Sequence, residues 1–238
     1  MLLRPSDYHK SLVFLGIFLL GILSPAYSKE SLRPLLLKDQ HWTSKKVSKE
    51  AYQIYSRPMP GYKLNAVRVV ATTSHRPELL LEIIHDIPNY SAFLKSASAI
   101  DFGIVKTGKD YIIGYQHINI PIVSNRHYLY RFDLDTAAID GEYLSGWTLL
   151  TANLREYQSF IAEMNKKYGF SVYLDDGEGV FRIRPAENEL WEISYSLYMD
   201  IGGRIPGFVV EFVNAEGITG LIRDLLNEAD ERKQKKEE

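Results

Sequence analysis

Two segments constrain this chain most. One reads Tyr111-Ile-Ile-Gly-Tyr-Gln-His-Ile-Asn-Ile-Pro-Ile-Val-Ser-Asn-Arg-His-Tyr-Leu-Tyr-Arg-Phe132. The other reads Leu190-Trp-Glu-Ile-Ser-Tyr-Ser-Leu-Tyr-Met-Asp-Ile-Gly-Gly-Arg-Ile-Pro206 and runs straight into a helix-patterned stretch of over five turns. Aromatic and β-branched residues in alternation specify strands. Long aromatic strands that end on one amphipathic helix describe a curved sheet gripping that helix. Such a shape can enclose a hollow, and a hollow implies a guest.

The rest of the chain agrees. Strands are expected over Ala51–Met59 and Leu64–Thr72, with Pro60-Gly61 as the turn between them. A helix is expected over Ser74–His85, with Ser74 as cap, Pro77 in the first turn and Glu78 at the positive end. Three antiparallel strands follow at Ala99–Lys106, Tyr111–Ile120 and Arg126–Leu134, and a fourth near Tyr143–Leu150. Asn153–Lys167 reads as a helix, with Asn153 and Glu156 spaced as a capping box. Strands at Gly179–Arg184 and Leu190–Asp200 lead into the last helix, Pro206 to about Ala229. There Phe208, Phe212, Ala215, Ile222, Leu225 and Ala229 share one stripe, interrupted by Gly217 and Gly220. The stretch Lys29–Ser48 is a polar lead-in with Trp42 as its one large aromatic anchor. No repeat or low-complexity linker divides the chain, so a single α+β domain is expected over 29–238.

Residues 1–28 read as a signal peptide. Arg4 and Lys10 precede an apolar run, Leu12–Leu23, that falls short of the about 20 residues of a membrane span. Ser24-Pro-Ala26-Tyr-Ser28 then offers small residues at a cleavage site after Ser28. The chain has no cysteine, so no disulfide supports it and no acylated cysteine can tether it. Together these features favour an exported bacterial protein, periplasmic or secreted. The net charge of −2 leaves no basic footprint for nucleic acid.

Four local strings, in their order and spacing, resemble the START (StAR-related lipid transfer) domains of the helix-grip superfamily. They are Tyr55-Ser-Arg57-Pro-Met-Pro-Gly61, Asp86-Ile-Pro-Asn-Tyr90, Pro121-Ile-Val-Ser-Asn-Arg126-His-Tyr128 and Asp200-Ile-Gly-Gly203-Arg-Ile-Pro206. The resemblance spans about Trp42 to Glu228. It departs at His127, where those domains usually carry an acidic residue; the helix at 153–167 is either the counterpart of a family helix between strands or, the reading preferred, an insertion. It implies a helix-grip fold with a deep apolar cavity for one lipid-like molecule. It also implies a mouth formed by the loop Asn119–Ser124 and the final helix.

Strand alternation nominates the lining. Tyr115 and His117 share a face, as do Arg126, Tyr128, Tyr130 and Phe132, and as do Trp191, Ile193, Tyr195, Leu197 and Met199. Composition alone favours a solid core. Under the resemblance, Tyr115, His117, Arg126, Tyr128, Tyr130, Tyr195 and Leu197 line the cavity. Ile120, Ile122, Phe208 and Phe212 then stand at its mouth or lid. Arg126 on so aromatic a face either anchors a ligand head group, pairs with Asp200 or Asp86, or sits exposed.

Catalytic and metal signatures are weak. His117 and His127 lack the further ligands a zinc site needs. No Gly-x-Ser-x-Gly elbow is present. The expected function is binding and transport of a lipid or other hydrophobic molecule, with transient membrane contact and no cofactor. The alternative is a cyclase- or aromatase-like enzyme of the same superfamily, using His117, Tyr115 or Tyr128 as acid or base.

Overall fold

The computed structural model describes residues 31–49, 51–119, 124–134, 140–169, 171–174, 176–202 and 207–237, with side chains in the last stretch described for 215–236. Ten strands are present among the described residues: β1 (Thr43–Val47), β2 (Gln53–Pro58), β3 (Asn65–Thr73), β4 (Ile100–Thr107), β5 (Tyr111–Ile118), β6 (Arg126–Asp133), β7 (Tyr143–Leu149), β8 (Val172–Tyr173), β9 (Gly177–Pro185) and β10 (Trp191–Met199). The α-helices are α1 (Arg33–Leu37), α2 (Pro77–His85), α3 (Tyr90–Phe93), α4 (Gln158–Tyr168) and α5 (Gly207–Glu237).

The strands form one sheet in the order β1-β2-β3-β10-β9-β7-β6-β5-β4, open at β1 and β4. All neighbours are antiparallel except β8, which pairs parallel with β6. The C-terminal helix α5 packs on β3 and β10 and meets α2. This is a helix-grip architecture.

Period-2 alternation splits the sheet into two faces. Val67, Val69 and Ala71 of β3 join Ile193, Tyr195, Leu197 and Met199 of β10 in the main core. Ala215, Ile218, Ile222, Leu225 and Ala229 of α5 close that core from the helix side. Burying each such large side chain contributes about 1.5–3 kcal/mol, which a chain without disulfides depends on. On the other face Ala66, Val180 and Tyr198 form a smaller core with Leu32 and Leu36.

Leu32 and Leu36 belong to a strap that crosses the outer face ahead of β1. Backbone N–H of Leu32 donates to the buried Glu178 at 2.6 Å. The buried Arg68 guanidinium donates to Ser196 Oγ at 2.8 Å and to the carbonyl of Leu36. Trp42 stacks over that guanidinium at 4.2 Å. The polar lead-in is therefore structured. Every residue of β1 is exposed, so no alternation marks it, and α1 is only five residues long.

Two helix starts differ from expectation. No side chain caps α2, whose flanking residue is Arg76 and not Ser74. The helix expected at Asn153–Lys167 begins later than Asn153, with a single 3-10 turn at Arg155–Tyr157 ahead of α4. Glu156 has another use, accepting from Lys106 at 2.9 Å, and the capping box does not form. The final helix runs past Ala229 to Glu237.

Candidate functional site

A cavity of about 240 Å³ lies between the inner face of the sheet, the segment 90–97 and α5. From β6 it receives Tyr128, Tyr130 and Phe132; from β10, Tyr195, Leu197 and Met199. Gln116 and Ile118 enter from β5, Phe102 from β4, Trp147 from β7 and Phe181 from β9. Ile218 and Leu221 of α5 cover it. Each strand contributes alternate residues, which is why one apolar wall collects from so many strands.

Its rim is fixed by α5. Buried Asp224 accepts from Ser96 N and Ser96 Oγ, both at 2.6 Å. Gly220 makes that approach possible, since a Cβ there would collide with Ser96 Cβ. The two glycines of α5 thus differ: Gly220 seats the helix on the 95–97 turn, while Gly217 borders the cavity with open space beside it.

The polar groups in the cavity are few. Trp147 Nε1 donates to Tyr195 Oη at 2.7 Å. Tyr128 Oη donates to Gln116 Oε1, and Tyr90 Oη to the carbonyl of Ile84. Burial raises all four phenols, Tyr90, Tyr128, Tyr130 and Tyr195, so they stay protonated at neutral pH. The Tyr130 hydroxyl has the Gln116 side chain beside it and gives its proton to no acceptor among the described residues. Among those residues, no Asp, Glu, Lys, Arg or His lines the cavity, and no three metal-ligating side chains cluster.

The structure sorts the residues nominated from the sequence. Tyr128, Tyr130, Tyr195 and Leu197 are in the cavity wall. Arg126 shares their strand face but stands at the start of β6, outside the cavity lining and 3% exposed. It donates to the carbonyls of Ile201 at 3.0 Å, Gly202 at 3.3 Å and Ser124. None of the three readings given for it from the sequence describes this carbonyl clamp. Asp86 instead pairs with Arg232.

Tyr115 and His117 are on the opposite face, under α4. Alternation groups the right residues on β5 but does not say which group points in. Inner positions here are Gln116 and Ile118; Tyr115 packs with Ile113, Leu129 and Tyr157 against α4. Ile120 and Ile122 fall outside the described residues, as do the side chains of Phe208 and Phe212. Missed from the sequence were Gln116, Trp147, Phe181 and the segment 90–97. Only the last had a signal, in the apolar cluster Tyr90 and Phe93.

Behind α4, His117 and His127 sit directly opposite each other on β5 and β6, both buried. The His117 ring stacks on Tyr168 at 4.0 Å, with Ser171 Oγ 3.5 Å from Nε2 and Asp101 3.7 Å from Nδ1. His127 Nδ1 lies 3.2 Å from Tyr115 Oη. Burial, then the neighbouring His117, pushes His127 down to about 4. Burial also lowers His117, against the pull of Asp101.

The unfolded chain takes up these protons near pH 6.5, the folded chain only below it. Between pH 6.5 and 4 the unfolded state binds more protons, so stability falls as pH drops. We expect a loss on the order of 2–3 kcal/mol from pH 7 to pH 4.5 in denaturant unfolding. His127→Gln should flatten that slope; an unchanged slope would place the proton uptake elsewhere.

Neither a protein-family model nor a curated protein sequence matches this chain. Solved structures do. A STAR-related lipid transfer protein (fragment 25-204) of Xanthomonas axonopodis superposes with a TM-score of 0.62 at 17% identity, covering 80% of this chain and 99% of that one. Human STARD10 gives 0.62 at 15%, covering 86% and 80%. Human StAR-related lipid transfer protein 5 gives 0.60 at 12%, covering 84% and 91%. The chain has the START fold. In START-fold terms the cavity lies under the C-terminal helix, α4 covers the outer face of β5 and β6, and the strap crosses the outer face of β3, β10 and β9.

Proposed function

We propose that this START-fold protein binds one lipid or other hydrophobic molecule in the cavity and carries it. The observation behind the reading is the cavity itself: apolar walls, a handful of neutral polar groups and a helix as cover. Small-molecule sites have this character. Burial of apolar surface, at about 25 cal/mol per Å², supplies the affinity. A void of about 150 Å³ already takes benzene, so about 240 Å³ accepts roughly ten non-hydrogen atoms, or one end of a longer lipid.

Binding without chemistry accords with the lining. Burial holds the cavity tyrosines protonated, so at neutral pH they are not bases, and the same upward shift makes them weaker acids than a free phenol. His117 and Tyr115 lie behind the sheet, out of reach of the guest. A cyclase-like reading therefore draws no support from these residues.

Carriage also requires a transient meeting with a membrane. The full chain should speed movement of radiolabelled hexadecanol from donor to acceptor vesicles in proportion to its concentration. Unaltered transfer at every concentration would limit the function to binding. We further propose export, on the charged start, the short apolar run and the Ala26-Tyr-Ser28 ending. Mass analysis of the mature protein should find Lys29 first; a species retaining Met1 would refute it.

A further inference from the structure

We propose that Tyr130 is the anchoring donor for an uncharged oxygen on the guest, a carbonyl, ether or hydroxyl, so that the ligand class is a neutral oxygenated lipid. This rests on the binding reading above.

Tyr130 is 3% exposed, and its Oη, with the Gln116 side chain beside it, gives its proton to no acceptor among the described residues. Buried polar groups in folded proteins are nearly always satisfied, and an exception calls for an explanation. The ring leans over Gly114, its partner on β5, where any Cβ would collide with Cζ and Oη. The sequence keeps that position open. Tyr130 therefore stands in the cavity wall with its hydroxyl proton ungiven.

Among the neighbouring groups, Tyr128 has given its proton to Gln116 Oε1. Tyr195 accepts from Trp147 and, like Tyr130, gives its own proton to no acceptor among the described residues. Gln116, with its Oε1 so occupied, turns Nε2 toward Tyr130 Oη on the same wall. A guest atom that meets Tyr130 and Gln116 is best an acceptor. It is also uncharged. Among the described residues no cationic side chain lines the cavity, so a carboxylate or phosphate there would be stripped of water with no counter-charge. The site thus selects a ketone, ester, ether or alcohol over both a bare hydrocarbon and an anion.

Matched probes test this: 2-nonanone and decane, each of about ten non-hydrogen atoms by the size argument above, and nonanoate at pH 8. Binding to the full chain is read by calorimetry and by the fluorescence of Trp147 and its neighbours. Tyr130→Phe removes one oxygen and no volume that the core needs. It should weaken 2-nonanone about five- to tenfold, the range of one net hydrogen bond. Decane should bind the variant as well as the parent or better. Nonanoate should bind the parent at least about tenfold more weakly than the ketone. Equal losses for ketone and decane, or no loss for either, would overturn the anchoring role and leave the cavity reading intact. Nonanoate that matches the ketone and shares its sensitivity to Tyr130→Phe would overturn the neutral class. Failure of both 2-nonanone and decane to bind the parent would remove the binding reading and this inference together.

Discussion

Leu197→Trp is expected to abolish guest binding while lowering stability by less than about 1 kcal/mol. Leu197 stands on the inner face of β10, opposite Val67 of β3 and Gly179 of β9, with its side chain in the cavity wall. In a filled interior the larger indole would force neighbours aside, at about 1–3 kcal/mol. Here it has about 240 Å³ to enter. A cost below about 1 kcal/mol moves the melting temperature of a domain this size by about 2–4 °C at most. Calorimetry with 2-nonanone reads the binding and thermal unfolding reads the cost. A drop of about 10 °C or more, with guest affinity retained by the folded fraction, would mean the cavity is not where the guest goes.

Arg126→Ala is expected to act in the opposite way, costing about 3 kcal/mol of stability with little change in affinity per folded molecule. The guanidinium holds three backbone carbonyls, those of Ile201 and Gly202 just beyond β10 and Ser124 just before β6. Hydrogen bonds to a charged group contribute about 1.5–3 kcal/mol each, and three on one side chain do not add fully. The variant leaves those acceptors unpaired at the point where the chain leaves the sheet for α5. Arg126→Lys should fall between, because an ammonium lacks the planar fork. Denaturant unfolding measures both. A stability change within about 0.5 kcal/mol, together with a large loss of affinity, would return Arg126 to the role of ligand anchor.

These two residues show how far the sequence could be read. Leu197 was legible because Trp191, Ile193, Tyr195, Leu197 and Met199 alternate without a break, and an alternating strand announces its buried face. Arg126 was legible as an anomaly but not as a clamp, since its partners are carbonyls far along the chain or at a turn, and carbonyls carry no residue signature. On β5 both faces are apolar, with Ile112, Gly114, Gln116 and Ile118 on the inner face, the last two in the cavity wall, and Ile113, Tyr115 and His117 facing α4. Period alone cannot choose between two such faces once a helix buries the second. Tyr130 was placed on the right face, but its ungiven proton is a fact of three dimensions. Strap and edge strand were missed because the strap is held by distant residues such as Glu178 and Arg68, its leucine run is too short for a helical period to show, and β1 is exposed throughout.

The central claim is that the cavity holds a neutral hydrophobic guest. Native mass spectrometry of the full chain, purified without detergent and offered 2-nonanone, tests it most directly. The account predicts a one-to-one complex that loses a neutral molecule on activation, present in the parent and absent in Leu197→Trp. A parent that never carries the added mass, or a Leu197→Trp variant that carries it as readily, would contradict it.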